Sequence, residues 1–129
     1  MKRILIVDDH MPVIRVMRIG LEQAGYEVDS AADGSECLLK LCDGFPDFLV
    51  TDIDMPRMTG KELCLAIEKQ FPKRDFPIVV LTSRTELEHR DWTSHIENLT
   101  FMEKPVSMRR LIAHIEACLT DGAARVVAS

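Results

Sequence analysis

The sequence predicts an α/β fold in which a five-stranded parallel sheet is covered by helices on both faces. Two observations lead to this prediction. Short apolar segments rich in strand-forming residues alternate with amphipathic segments of helical period along the chain. These apolar segments are nearly continuous, as strands that are buried on both faces require. A chain of 129 residues is long enough for one such domain with a proper core.

The first half of the chain contains two strand and helix pairs. A fully apolar strand covers residues 3–7, and a helix runs from Pro12 to about residue 24, where Gly25 ends it. Residues 27–31 form a weaker, alternating strand that is typical of a sheet edge, and residues 34–42 form a second helix. The predicted inward side chains of the two helices are Val13, Met17, Leu21, Ala24, Cys37, Leu38, Leu41 and Cys42.

The stretch at residues 47–56 is the centre of the predicted sheet. Residues 48–50 are a short apolar run between Pro46 and Pro56, too short for a helix and well suited to a buried strand. Asp52 lies where this strand ends. Ligands of open α/β sheets bind at the carboxyl ends of the strands, so Asp52 is predicted to be a nucleophile, a metal ligand or a helix cap.

The second half continues the alternation. Thr59 is predicted to cap a third helix that reaches about residue 70 and buries Leu63, Ala66 and Ile67. A fourth strand covers residues 77–81, a poorly amphipathic fourth helix covers residues 85–97, and a fifth strand covers residues 99–102. Ser107 is predicted to cap the last helix, whose apolar face is Met108, Leu111, Ile112, Ile115, Cys118 and Leu119.

Composition and charge exclude several classes of protein. The chain is 47% hydrophobic and 29% charged, which is the balance of a soluble globular domain. A net charge of -5 argues against nucleic acid or an anionic membrane as a direct partner. No apolar run is long enough to span a membrane, and no signal peptide is evident. The four cysteines have no ligand-like spacing, so we expect reduced, buried thiols in a cytoplasmic protein.

Five polar residues are predicted to meet at the carboxyl edge of the sheet: Asp8, Asp9, Asp52, Thr82 and Lys104. Three crowded carboxylates repel one another unless a cation joins them. A cluster of oxygen ligands with few protein donors suits Mg²⁺, which retains water and recruits phosphate oxygens. A lysine and a hydroxyl beside it would provide a second positive charge and a hydrogen-bond donor for a phosphoryl group.

These residues give the chain a specific resemblance to a known family. It resembles the receiver domain of bacterial two-component response regulators from Lys2 to about Leu119. Each motif alone is weak, but the order and spacing of the four together are highly specific. They are Ile-Val-Asp-Asp at residues 6–9, Thr-Asp-Ile-Asp-Met-Pro-Arg-Met-Thr-Gly at 51–60, Leu-Thr-Ser at 81–83 and Glu-Lys-Pro at 103–105. The resemblance implies a flavodoxin-like, doubly wound (βα)5 domain over residues 1–120. Residues 121–129 are too few for a second domain, so we expect a short, frayed C-terminal tail.

The resemblance also implies roles for the site residues. Asp52 would accept a phosphoryl group, with Mg²⁺ held directly by Asp9 and Asp52, by the backbone carbonyl of Asp54, and through water by Asp8. Lys104 would pair with the phosphoryl oxygens, and its peptide bond to Pro105 would be cis. Thr82 would move its hydroxyl onto the phosphoryl group while Phe101 turns inward. Apart from the resemblance, Asp54 and Arg84 follow Asp52 and Thr82 by two residues, so both side chains can face the phosphoryl group. Asp54 could orient an attacking water, but we expect Arg84 to shield the phosphoryl group from water.

The partners implied are a sensor histidine kinase or a histidine phosphotransfer protein. The movement of Thr82 and Phe101 would change the surface formed by the predicted fourth helix, the fifth strand and the last helix, which an unknown output protein would read. Direct binding to nucleic acid or membrane is not expected. The protein would be a self-phosphorylating switch and not a turnover enzyme.

Two other interpretations of the same residues remain open. Asp52-Ile53-Asp54 also resembles the Asp-x-Asp motif of haloacid-dehalogenase-type phosphatases, although Pro56 stands where that family has Thr or Val. A pseudo-receiver that only binds partners is the third possibility. His10 is either a reporter of pH beside the metal or a solvated loop residue. Trp92 is either a core anchor of its helix or a partner contact.

Overall fold

The structure, a computed structural model, describes residues 1–83, 92 and 96–128. Strands and helices alternate from the first strand to the fourth. The strands are β1 (Arg3–Val7), β2 (Glu27–Ala31), β3 (Phe48–Asp52), β4 (Ile78–Thr82) and β5 (Leu99–Glu103). The helices are α1 (Met11–Gln23), α2 (Gly34–Asp43), α3 (Gly60–Gln70) and α4 (Met108–Ala128). The predicted helix at residues 85–97 and the predicted shield Arg84 lie outside the described residues, apart from Trp92 and residues 96–97.

The five strands form one parallel sheet in the order β2-β1-β3-β4-β5, which confirms the predicted fold. β2 is an edge strand, as its alternating sequence indicated, whereas β3 and β4 are buried along their whole length. The direction of winding reverses between β1 and β3, because β2 lies on one side of β1 and the later strands on the other. A crevice at the carboxyl ends of these two strands is therefore expected to hold the ligand.

A separate hydrophobic core lies on each face of the sheet. One face is covered by α2 and α3, and its fully buried members include Cys37, Leu63 and Ile67. The other is covered by α1 and α4, whose buried side chains include Leu21, Leu111 and Ile115. Burying such side chains stabilises the fold by roughly 1.5–3 kcal/mol each. The two cores fix the helices to the sheet, and with them the loops at its carboxyl edge.

The inward face of α1 differs from the predicted one. Ile14, Met17 and Leu21 are buried, whereas Val13 and Ala24 are exposed. The helix is therefore rotated by one residue at its start, so that Ile14 enters the core in place of Val13. The sequence offers apolar residues at both positions, and packing against α4 and the sheet selects between them.

The starts of two helices agree with their sequence signals. Thr59 and Glu62 form a complete capping box at the start of α3, in which each side chain accepts the backbone N–H of the other residue. At the start of α4, the Ser107 hydroxyl accepts the N–H of Arg110 at 3.4 Å. The first turn of α3 leads directly from the loop that follows Asp52, so this cap helps to fix that loop.

One further prediction needs correction. Cys37 and Cys64 are buried, and burial raises the pKa of each thiol to about 12, but Cys42 is exposed and Cys118 half-buried.

The last helix extends to Ala128, past residue 120. The division into a domain over residues 1–120 and a tail over 121–129 stays a prediction.

Polar side chains close the outer edge of β2. The carbonyl of Val28 accepts a hydrogen bond from Arg18 Nη1 at 2.8 Å, and that of Ser30 accepts one from Lys40 Nζ at 2.5 Å. The Asp29 carboxylate accepts the Ser30 N–H at 2.8 Å. Such groups would otherwise offer an unpaired edge to another strand, so these side chains protect the sheet from edge-to-edge association.

Among the described residues, no helix combines the length and apolar character that crossing a membrane would take.

Candidate functional site

The predicted site residues meet at the carboxyl edge of the sheet. Asp8 follows β1, Asp52 ends β3, Thr82 ends β4 and Lys104 follows β5. Asp8, Asp52 and Thr82 are each no more than 3% exposed, which is unusual for polar residues at the surface end of a strand. The site is therefore a pocket built by four neighbouring strand ends, with Lys104 entering from its more exposed side.

Asp52 is held in one orientation by two donors that share one of its carboxylate oxygens. Its Oδ1 accepts the backbone N–H of Ile53 at 2.9 Å and forms an ion pair with Lys104 Nζ. The carboxylate is 1% exposed, whereas the lysine side chain is about one third exposed. Lys104 thus places a positive charge directly on a buried carboxylate while its stem remains partly in solvent. The Lys104–Pro105 peptide bond is cis, as the resemblance implied.

The imidazole ring of His10 contacts both carboxylates of the acid pair that follows β1, a position that the sequence did not predict. His10 Nδ1 lies 3.2 Å from Asp8 Oδ1 and 3.2 Å from Asp9 Oδ1. The contact with Asp8 has hydrogen-bond geometry, and the contact with Asp9 does not. Asp9 Oδ1 is accordingly a buried oxygen without a hydrogen-bond partner among the described residues. One oxygen of the cluster therefore lacks any donor within that part of the protein.

The electrostatics of the cluster disfavour its fully charged form. Burial raises the pKa of Asp8, and the nearby charge of Asp52 raises it further. The hydrogen bonds that Asp8 accepts from the backbone and ring of His10 lower it, but not enough to cancel the effect of burial. The metal-free cluster therefore carries an electrostatic cost, which a bound cation would relieve.

This cost predicts the effect of Asp8→Asn on stability. The folded protein holds the Asp8 proton more tightly than the unfolded chain does, so wild-type stability falls as pH rises from the ordinary value of 3.8 through the folded pKa. Asparagine escapes that loss but can still accept the His10 N–H. We expect the metal-free variant to be more stable at pH 7 by on the order of 1 kcal/mol.

Urea unfolding in the presence of a chelator would measure the difference at pH 7 and again below pH 3.8. The gain should be present at pH 7 and shrink towards zero at the acidic end. A variant that is equally stable or less stable at pH 7 would contradict the electrostatic explanation.

The residues present fit a hard divalent cation. Ligand atoms of Asp8, Asp9, His10 and Asp52 all lie within 4.8 Å of one another. The three carboxylates supply anionic oxygens, and Asp9 Oδ1 is a buried acceptor that still needs a partner. Oxygen-rich sites with few protein ligands are typical of Mg²⁺, which keeps several waters.

The other predicted site residues lie on β4, on β5 and on the loop after β3. Asp54 is exposed on the loop after β3, and its carbonyl as a metal ligand stays a prediction. Thr82 is buried, and its carbonyl accepts the Lys104 N–H at 2.9 Å. Phe101 is half-buried in β5 and packs edge to face against Trp92, with ring centroids 5.8 Å apart. Trp92 thus packs against the core, which supports its interpretation as an anchor.

Sequence reasoning missed two residues that shape the site. The Ile53 N–H orients the Asp52 carboxylate, but a backbone donor leaves no signal in the sequence. Gly60 allows α3 to approach the end of β3, and its N–H donates to the Ile53 carbonyl at 2.8 Å. The glycine directly after the capping threonine was a visible signal for this close approach.

Comparisons with known proteins agree with this geometry. The chain matches the response regulator receiver domain family over residues 4–116. It is 35% identical over 118 residues to the alkaline phosphatase synthesis transcriptional regulatory protein PhoP of Bacillus subtilis, covering 92% of this chain and 48% of that protein. It is 36% identical over 117 residues to the response regulator MprA of Mycobacterium avium, covering 91% and 50%. The chain thus spans about half the length of these relatives.

Solved structures show the same fold. The chemotaxis protein CheY4 of Vibrio cholerae is 32% identical with a TM-score of 0.81, covering 90% of this chain and 97% of that one. The response regulator TrrA of Thermotoga maritima, in complex with Mg²⁺-BeF, is 30% identical with a TM-score of 0.77 and the same coverage. With the family match over most of its length, this chain belongs to the receiver domains of two-component response regulators, a family of phosphorylation-dependent signalling domains.

Proposed function

We propose that residues 1–120 form a receiver domain that switches when Asp52 accepts a phosphoryl group from a phosphohistidine. The observation that carries the proposal is the setting of Asp52. It is a buried carboxylate fixed by Lys104 and the Ile53 N–H, beside an oxygen of Asp9 that lacks a hydrogen-bond donor among the described residues. A carboxylate held in this way can serve as a nucleophile, because its orientation is set before the donor arrives.

Each residue of the site has a separate role in phosphoryl transfer. Asp9, Asp52 and the Asp54 carbonyl would hold Mg²⁺ directly, with Asp8 acting through water; when bound, the cation offsets negative charge on the carboxylates and phosphoryl oxygens. A free oxygen of the Asp52 carboxylate forms the new P–O bond as the P–N bond of the phosphohistidine breaks. The departing imidazole takes a proton from solvent. Lys104 transfers its contact from Asp52 to the phosphoryl oxygens, where negative charge increases.

The proposed phosphodonor is a sensor histidine kinase or a histidine phosphotransfer protein that docks along α1. Met11, Val16 and Ile19 of that helix are large apolar side chains exposed to solvent. A groove of about 590 Å³ runs from Val13 and Val16 to Lys104 and Met108, with Asp8 and His10 at one end. An apolar surface that leads to the phosphoacceptor suits a protein that delivers a phosphoryl group.

Val16→Glu should slow transfer from such a protein and leave labelling by acetyl phosphate unchanged.

The proposed output surface lies on the other side of Lys104. A second cavity, of about 520 Å³, is lined by Thr82, Phe101, Met102 and Arg110 among others. It connects the end of β4 with β5 and the start of α4, so movement of Thr82 can reach this surface directly. An unidentified output protein would read it together with the predicted helix at residues 85–97. The net charge of -5 supports a protein partner and argues against direct contact of this domain with nucleic acid.

We also propose that the protein acts in the cytoplasm. The four cysteines all lie in the described part of the chain, and no disulfide joins them, which suits a reducing compartment.

A labelling stoichiometry separates the switch from its alternatives. With acetyl phosphate and Mg²⁺, the protein should gain about one acid-stable, base-labile phosphoryl group per chain. It should release phosphate only as slowly as that group decays. Steady release of many equivalents from p-nitrophenyl phosphate would favour a haloacid-dehalogenase-like phosphatase. Failure to label at all would favour a pseudo-receiver, and either result would overturn the proposal.

A further inference from the structure

His10 lies where a ligand of the cation site would lie. Its Nδ1 is 3.2 Å from an oxygen of Asp8 and 3.2 Å from an oxygen of Asp9. Ligands at right angles around a divalent cation, at bond lengths of about 2.1–2.3 Å, are about 3.0–3.3 Å apart. The ring nitrogen and the Asp9 oxygen therefore already have the separation of adjacent ligands.

The local backbone holds this ring in position. The His10 N–H donates to Asp8 Oδ1 at 2.8 Å, and His10 is the N-cap of α1 with an extended backbone. Pro12 in the first turn restricts the chain just after it. The side chain is 64% exposed, so a neutral imidazole loses little hydration when it turns towards a cation. The backbone of His10 is thus fixed, and the ring takes its position from its contacts with the acid pair.

The unpaired oxygen of Asp9 indicates what the ring is positioned for. The single proton on Nδ1 can serve one carboxylate, and the hydrogen-bond geometry gives it to Asp8. Nδ1 approaches Asp9 Oδ1 closely without hydrogen-bond geometry, and that oxygen remains buried without a donor among the described residues. A cation between Nδ1 and Asp9 Oδ1 would satisfy that oxygen; the ring proton would then lie on Nε2, and the hydrogen bond to Asp8 would be given up.

We propose that His10 Nδ1 is an additional ligand of this cation site and shifts its preference towards Mn²⁺ and Co²⁺. The inference rests on the proposed function for the location of the site. Imidazole nitrogen suits first-row transition metals, whereas Mg²⁺ favours oxygen ligands. His10, Asp9 and Asp52 therefore form a mixed nitrogen and oxygen site, which binds a transition-metal ion more tightly than carboxylates alone would.

The test is the ratio of affinities for Co²⁺ and Mg²⁺, measured by isothermal titration calorimetry on the wild type and on His10→Ala. We expect His10→Ala to weaken Co²⁺ and Mn²⁺ binding at least about tenfold, as loss of a metal-site group typically does, while the Mg²⁺ affinity changes less than about twofold. Spin-echo spectra of bound Mn²⁺ should show nitrogen coupling in the wild type and lose it in the variant. Asp9→Asn is the matched control and should weaken all three metals together.

The outcomes distinguish this inference from the proposed function. If the wild type binds all three metals, Asp9→Asn weakens them, and His10→Ala leaves every affinity and the nitrogen coupling unchanged, the role of His10 is wrong while the cation site stands. If the wild type binds none of the metals, both the role of His10 and the cation site of the proposed function are overturned.

Discussion

Lys104→Met is expected to slow phosphorylation of Asp52 by acetyl phosphate by at least about 100-fold. The lysine ammonium forms an ion pair with Asp52 Oδ1 and is the cation that β5 delivers to the site. During transfer, negative charge increases on the phosphoryl oxygens, and a positive charge already in place stabilises it without reorganisation. Methionine preserves most of the volume of the stem but has no charge to offer.

The initial rate of labelling at fixed Mg²⁺ and pH, followed by intact mass, measures this effect. Lys69→Met provides a matched control, because Lys69 is an exposed lysine on α3, away from the strand ends. The control should label at the wild-type rate. A Lys104→Met rate within about twofold of the wild type, in a variant that circular dichroism shows to be folded, would remove Lys104 from the mechanism.

Gly60→Ala is expected to lower the free energy of unfolding by about 2–3 kcal/mol. A Cβ at this position would lie 2.7 Å from Ile53 Cα and against the carbonyl oxygen of Asp52. Both atoms are backbone at the end of the central strand, so neither can move without displacing Asp52, the proposed phosphoacceptor. The same substitution should therefore also reduce the labelling rate of the protein that remains folded.

Gly20→Ala is the matched control, since this glycine also lies in a helix. A Cβ there would meet only the end of the flexible Met108 side chain, with the nearest atom at 2.8 Å. Stability should be unchanged or increase by up to about 1 kcal/mol, because alanine favours helix over glycine. Equal unfolding midpoints in urea for the two variants would contradict the close approach of α3 to β3.

The strand pattern and the strand-end residues were predictable because they follow from local rules. Continuous apolar runs identify strands buried on both faces, and parallel strands bring their carboxyl ends to one edge. The amino-acid sequence alone therefore places Asp8, Asp52 and Thr82 together, and Lys104 with them. The capping box at Thr59 was equally visible, since it depends on a short spacing.

Features that depend on packing between distant segments were not predictable in this way. Val13 and Ile14 are both apolar, and only the contacts of α1 with the sheet and α4 place Ile14 inside. The exposure of Cys42 likewise depends on how α2 lies against the sheet. His10 is next to the acid pair in the chain, but its ring orientation depends on the start of α1, which spacing alone does not determine.

The site of phosphorylation tests the central claim most directly. Wild-type protein, Asp52→Asn and Asp75→Asn would each be incubated with acetyl phosphate, with and without Mg²⁺, and examined by intact mass and peptide mapping; Asp75 is an exposed aspartate outside the site. The account predicts one phosphoryl group on wild type and on Asp75→Asn, located at residue 52 and dependent on Mg²⁺, and none on Asp52→Asn. Labelling of Asp52→Asn to the wild-type extent, or labelling that does not require Mg²⁺, would contradict it.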